Sequence, residues 1–105
     1  MFGFFKRADI NAGVEQYRST SGAVLLDVRT AEEYAGGHIP GSVNVPLGKL
    51  EGVDQIAKKD TPLFVYCYSG ARSASAAAEL EGNGYESVRN IGGIAGWRGP
   101  VEKGS

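Results

Sequence analysis

Leu63-Phe64-Val65-Tyr66-Cys67-Tyr68-Ser69-Gly70-Ala71-Arg72 is the stretch on which the fold turns. Its first four residues are apolar without alternation, the pattern of a strand buried on both faces of a parallel sheet. Tyr68, Ser69 and Gly70 are poor core fillers and predict a loop. From Arg72 to Leu80 the sequence is Ala-rich and helix-forming, and Gly82 and Gly84 end the pattern. Strand, loop and helix in that order set Cys67 at the C-terminal end of a strand, where open α/β sheets bind their ligands.

The flanking sequence extends the alternation. Upstream, Asp9 to Tyr17 carries Ile10, Val14 and Tyr17 at helical spacing, and Ala23-Val24-Leu25-Leu26-Asp27-Val28 is a second continuous apolar run. Thr30-Ala31-Glu32-Glu33 fits a capping box that starts a short helix, which Gly36-Gly37 stops. His38-Ile39-Pro40-Gly41 reads as a turn into an extended Val43-Asn44-Val45. After Pro46, the spacing of Leu47, Leu50, Val53 and Ile56 or Ala57 predicts a further helix, which Gly48 and Gly52 weaken. Downstream, Glu86 to Ile91 predicts another strand before Gly92-Gly93. The expectation is an α/β domain: a central, mainly parallel sheet with helices on both faces, one domain over residues 1–105 with its core at about 9–98.

Composition narrows the function classes. The 105 residues are 42% hydrophobic and 22% charged, which fits one globular domain rather than a multidomain enzyme. Eleven Lys and Arg against twelve Asp and Glu leave a net charge of -1, so no overall field draws nucleic acid or an anionic membrane. No apolar run approaches the ~20 residues of a membrane span. Met1-Phe2-Gly3-Phe4-Phe5-Lys6-Arg7 places its apolar cluster before its basic pair, the reverse of a secretory leader, so a cytoplasmic protein is expected. With a single Cys and a single His, the chain cannot form an internal disulfide or a CxxC redox pair, and it lacks the ligands of a structural zinc site. No metal or organic cofactor is expected.

A thiol between a buried strand and a helix N-terminus faces backbone N–H groups that the helix leaves unsatisfied, and these favour an anion. Such a position lowers a Cys pKa and makes a nucleophile at neutral pH. Gly70 lets the loop bend through conformations costly to other residues. Ser69, Ser73 and Ser75 add hydroxyl donors, and Arg72 adds a fixed positive charge with a planar fork of donors. A lone Cys is more commonly a small buried hydrophobe; here the clustering of Tyr68, Ser69, Gly70 and Arg72 favours an anion-cradling loop.

Cys67-Tyr68-Ser69-Gly70-Ala71-Arg72 resembles the C-x-x-G-x-R active-site loop of the single-domain, rhodanese-like sulfurtransferases. Leu26-Asp27-Val28-Arg29, Glu33-Tyr34 and Gly37-His38-Ile39-Pro40-Gly41-Ser42-Val43-Asn44-Val45-Pro46 resemble that family's first signature, and Gly92-Gly93 with Gly96-Trp97 its closing one. The resemblance implies a two-step sulfur transfer without a cofactor: Cys67 takes the outer sulfur of thiosulfate or a similar donor, releases sulfite and becomes a persulfide. The persulfide then passes sulfur to cyanide, a thiol or a sulfur-accepting protein. It implies that Tyr68, Ser69, Gly70, Ala71 and Arg72 bind the donor, their backbone N–H groups facing the sulfur and Arg72 facing the donor's oxyanion end.

Two other readings share these residues. Cys-dependent phosphatases and arsenate reductases resemble the loop but usually have C-x5-R, whereas Cys67 to Arg72 is C-x4-R. One residue fewer removes roughly 3.5 Å of chain, which suits a ring closing on one sulfur rather than on a tetrahedral oxyanion. No Asp or Glu occurs between Thr61 and Ala78 to protonate an alkoxide leaving group. A sulfur carrier or interaction module with negligible turnover is the third reading. The resemblance further suggests that Asp27 bonds loop backbone and that Arg29 pairs with a carboxylate such as Glu33. His38 is expected as a hydrogen-bonding turn residue rather than a base, Trp97 as packing or a pocket wall, and Tyr68 as a residue at the loop's entrance or facing solvent.

Overall fold

The computed structural model describes residues 8–105, so the leader reading of Met1 to Arg7 lies outside the described residues. Four strands, β1 (Val24–Asp27), β2 (Ser42–Asn44), β3 (Leu63–Cys67) and β4 (Val88–Gly93), form one parallel sheet in the order β2-β1-β3-β4. The chain leaves β1 for one edge and returns to place β3 on its other side. The crevice beyond the C-terminal ends of β1 and β3 is therefore the sheet's switch point.

The two central strands are apolar up to Asp27, which ends β1, because both of their faces are covered. Leu25, Phe64 and Tyr66 pack with Ile10 and Val14 of α1 (Ile10–Arg18). Leu26, Leu63, Val65 and Cys67 point the other way and pack with Leu50, Val53 and, from α3 (Ala71–Gly82), Ala76 and Leu80. Each such Leu or Val contributes about 1.5–3 kcal/mol by leaving water. The period-two alternation of a pleated strand thus sends the Cys67 side chain to the α3 side. No described helix is long and apolar enough to cross a membrane.

Local chemistry sets the helix starts. Asp9 caps α1 by accepting from the Asn11 backbone N–H at 3.0 Å. Thr30 and Glu33 form the expected reciprocal capping box at the start of α2 (Ala31–Gly36). The segment Leu47–Gln55 departs from expectation: it is a 3₁₀ helix broken at Lys49 rather than an α-helix. Gly48 and Gly52 weaken α-helix propagation there. Leu50 and Val53 still share a face, since residues three apart eclipse in a 3₁₀ turn, and both are buried.

Candidate active site

Cys67 is the last residue of β3, and the four-residue step to Ala71 begins α3. The Gly70 N–H donates to Cys67 Sγ at 3.0 Å, and the Ser73 hydroxyl lies 3.4 Å from the same sulfur. Burial pushes the thiol pKa up. The Ser73 hydroxyl and the backbone N–H groups of Ser73, Gly70 and Ser69 outweigh it, so the thiol stays below its ordinary value. Gly70 adopts φ 101°, the left-handed region that other residues enter at a cost, and this bend turns its N–H to the sulfur.

The loop is fixed from β4 and the turn beyond it. The Tyr68 carbonyl accepts from the Ala95 N–H at 3.1 Å. Gly93 lies so close beneath that a Cβ there would stand 2.1 Å from the Tyr68 carbonyl oxygen. Tyr68 itself is 56% exposed, Ser69 and Ala71 are also exposed, and Cys67 is 1% exposed. The sulfur is thus seated below a rim of small or outward-facing residues.

Arg72, in the first turn of α3, donates through both terminal nitrogens to both oxygens of Glu33, at 2.7 and 2.9 Å. The hydrogen bonds from Arg72 hold the Glu33 carboxyl down to about 2 against the opposing effect of burial. The suggested Arg29–Glu33 pair is replaced by another. Arg29 forks instead onto Asp27, with its Nη2 2.7 Å from Oδ2, and both side chains are buried. Asp27 lies two residues away and also accepts from the Arg29 backbone N–H at 2.9 Å. A carboxylate on the same strand end needs no loop to carry it, which leaves Glu33 free for Arg72.

A strand-end thiol that accepts a loop N–H, followed by an Arg whose fork is held by a carboxylate, is an arrangement chemically able to hold a small anion. The Rhodanese-like domain model matches residues 11–100. The chain belongs to the rhodanese-like domain family. It is 44% identical over 78 residues to "Thiosulfate sulfurtransferase GlpE" of Pseudomonas savastanoi pv. phaseolicola, covering 73% of this chain and 74% of that one. It is 38% identical to "Putative sulfur carrier protein YrkF" of Bacillus subtilis, over 74% of this chain and 43% of that protein. Among solved structures, "rhodanese with anions from E. coli" superposes with a TM-score of 0.73 at 33% identity, over 78% of this chain and 99% of that one. The chain spans 64%, 43% and 25% of the length of three curated relatives that it matches.

The remaining residues of the rhodanese-like signatures have mainly scaffolding contacts. The His38 ring stacks on Tyr34 at 3.7 Å, with Nδ1 2.8 Å from the Tyr34 carbonyl and Nε2 3.9 Å from Glu102. Trp97 packs against the α1-side core and donates from Nε1 to the Pro100 carbonyl at 2.9 Å. An open groove of about 750 Å³ runs beside the loop, bounded by Tyr68, Ser69, Gly70, Asn11 and Arg98, and Trp97 is not among its walls. Among the described residues, no three His, Cys, Asp or Glu converge as a metal site. Asn90 was missed from the sequence: its side chain touches the loop, yet it stands 20 residues from Gly70 with no spacing to mark it.

Proposed function

We propose that this rhodanese-like chain is a sulfurtransferase that moves a sulfane sulfur from thiosulfate, or a similar small anion, to a thiophilic acceptor through a Cys67 persulfide. The observation that carries the reading is the seat of the Cys67 sulfur, which takes the Gly70 N–H at 3.0 Å and has a thiol pKa held below its ordinary value. In the first step the Cys67 thiolate attacks the outer sulfur of thiosulfate. The new S–S bond forms as the donor's S–S bond breaks, and sulfite leaves with the electron pair. Sulfite is a stable anion and needs no proton, so the step asks for no general acid. In the second step the acceptor's thiolate or cyanide attacks the outer persulfide sulfur, and Cys67 leaves as the thiolate with its electron pair. The enzyme's own oxidation state is unchanged over the cycle.

Two features support small sulfur donors over phosphate esters, and a third supports an oxyanion of either kind. With Cys67 only 1% exposed, the reacting atom must be carried on a slender donor, and thiosulfate presents a single terminal sulfur. The C-x4-R ring is short. Arg72 commits only part of its donor fork to Glu33, which leaves other N–H groups for the donor's oxyanion end. Tyr68, Ser69, Gly70 and Ala71 complete the donor site through backbone and rim contacts.

Mass spectrometry after thiosulfate treatment tests the reading. A reducible gain of one sulfur in the wild type, absent in Cys67→Ala, with sulfite released in turnover to cyanide or a thiol, is the expected result. Sulfur uptake without turnover would replace the enzyme by a sulfur carrier. Hydrolysis of an aryl phosphate without sulfur uptake would replace it by a phosphatase.

A further inference from the structure

Asn90, on β4, spans three parts of the sulfur's surroundings with one amide group. Its Nδ2 donates to the Gly70 carbonyl at 3.1 Å, and its Oδ1 accepts from the Gly92 N–H at 3.0 Å and from the Ser73 hydroxyl at 2.7 Å. Two of these contacts fix which way the amide faces: the Gly70 carbonyl requires a donor and the Gly92 N–H requires an acceptor. Reversing the amide would set oxygen against oxygen and N–H against N–H. The Ser73 hydroxyl has one proton, with Asn90 Oδ1 at 2.7 Å and Cys67 Sγ at 3.4 Å both in its reach, while the Gly70 peptide is braced from its carbonyl side. Gly70 is the loop's left-handed residue, and its N–H is the donor closest to the sulfur.

We infer that Asn90 is a positioning residue for the reactive thiol: its amide braces the Gly70 peptide from the carbonyl side so that the Gly70 N–H stays directed at Cys67 Sγ, and it anchors Ser73 beside the same sulfur. Its hydrogen bonds go to Gly70, Gly92 and Ser73 and none goes to the sulfur. Its action runs through Gly70 and Ser73. This inference rests on Cys67 being the nucleophile proposed above.

The test reads the thiolate directly. The protein contains one Cys, so ultraviolet thiolate absorbance against pH, measured for each variant minus its own Cys67→Ala counterpart, reports Cys67 alone and needs no reagent to enter the loop. Asn90→Ala is expected to raise the titration midpoint by about one unit, the scale of one weakened hydrogen bond to a charged acceptor. Thermal unfolding of the same variants separates this effect from general damage. A folded Asn90→Ala protein with an unmoved or lowered midpoint overturns the inference. Should Asn90→Ala not fold, Asn90→Ser decides: it keeps one polar atom but cannot span both Gly70 and Ser73, so an upward shift supports the inference and an unmoved midpoint overturns it. Absence of sulfur uptake by the wild type would defeat the proposed function, whereas the midpoint comparison would still judge Asn90.

Discussion

Arg72 and Glu33 meet fork to fork, 2.7 and 2.9 Å apart, and so join the first turn of α3, which follows the Cys67 loop, to the first turn of α2. Glu33 also closes its own helix's capping box, so one carboxylate starts α2 and orients the guanidinium beside the thiol. Lys carries the same charge without the planar fork. Arg72→Lys is therefore expected to raise KM for thiosulfate roughly tenfold, about 1.4 kcal/mol of binding, with a smaller change in kcat. Steady-state sulfite release at several thiosulfate concentrations measures both. An unchanged KM would remove Arg72 from donor binding.

The same pair makes stability depend on acid. The hydrogen bonds from Arg72 hold the Glu33 carboxyl at about 2 rather than 4.5. A carboxyl lowered on folding stabilises the protein above its unfolded pKa, and that contribution disappears as pH falls through the folded value. Between pH 4.5 and 2 the wild type should therefore lose more thermal stability than Glu33→Gln, whose side chain cannot titrate. The pair is partly exposed, so salt should narrow the difference. Parallel melting-temperature profiles for the two proteins that fail to converge in this range would refute the linkage.

Cys67 gives a readout of the same sign at higher pH. Its thiol pKa is lower in the fold than its ordinary value, so the folded chain ionises first. As pH rises through the folded pKa, the stability of the wild type should increase relative to Cys67→Ala. The gain levels off once the unfolded thiol ionises too. Urea unfolding of both proteins across that range is the measurement, and a difference that falls with pH would mean that burial, not the loop donors, governs the thiol.

What could be read from the sequence was what neighbours in the chain decide. The apolar runs around Leu25 and Phe64 predict strands covered on both faces, and the Thr30-to-Glu33 spacing predicts a capping box; both are present. The kinked 3₁₀ path of Leu47–Gln55 was hidden because Leu50 and Val53 share a face in either kind of helix. Long-range partners left no local mark. Glu33 and Asp27 are both carboxylates close to Arg29, and only the turn after β1 decides that Asp27 takes it. Glu33 then reaches 39 residues ahead to Arg72. Asn90 reaches 20 residues back to Gly70, from a strand whose sequence shows nothing of the loop lying against it.

Glycine supplies the sharpest stability contrast. At Gly93 an added Cβ would stand 2.1 Å from the Tyr68 carbonyl oxygen and 2.6 Å from the Ser69 Cα, so the clash is with the backbone of the loop itself. No rotamer change relieves it. The loop must shift, and its donors must leave the Cys67 sulfur. Gly93→Ala should cost roughly 3 kcal/mol of stability and also raise the thiol pKa and reduce sulfur uptake. Gly82, the last residue of α3, is the control: a Cβ there meets nothing within 4 Å. Gly82→Ala should stabilise by about 0.5–1 kcal/mol, through helix propensity alone, and leave the thiol titration where it was. Denaturant unfolding and thiolate titration of the two variants provide the comparison. A Gly93→Ala protein with wild-type thiol behaviour would show that the loop's geometry does not depend on the close approach of β4.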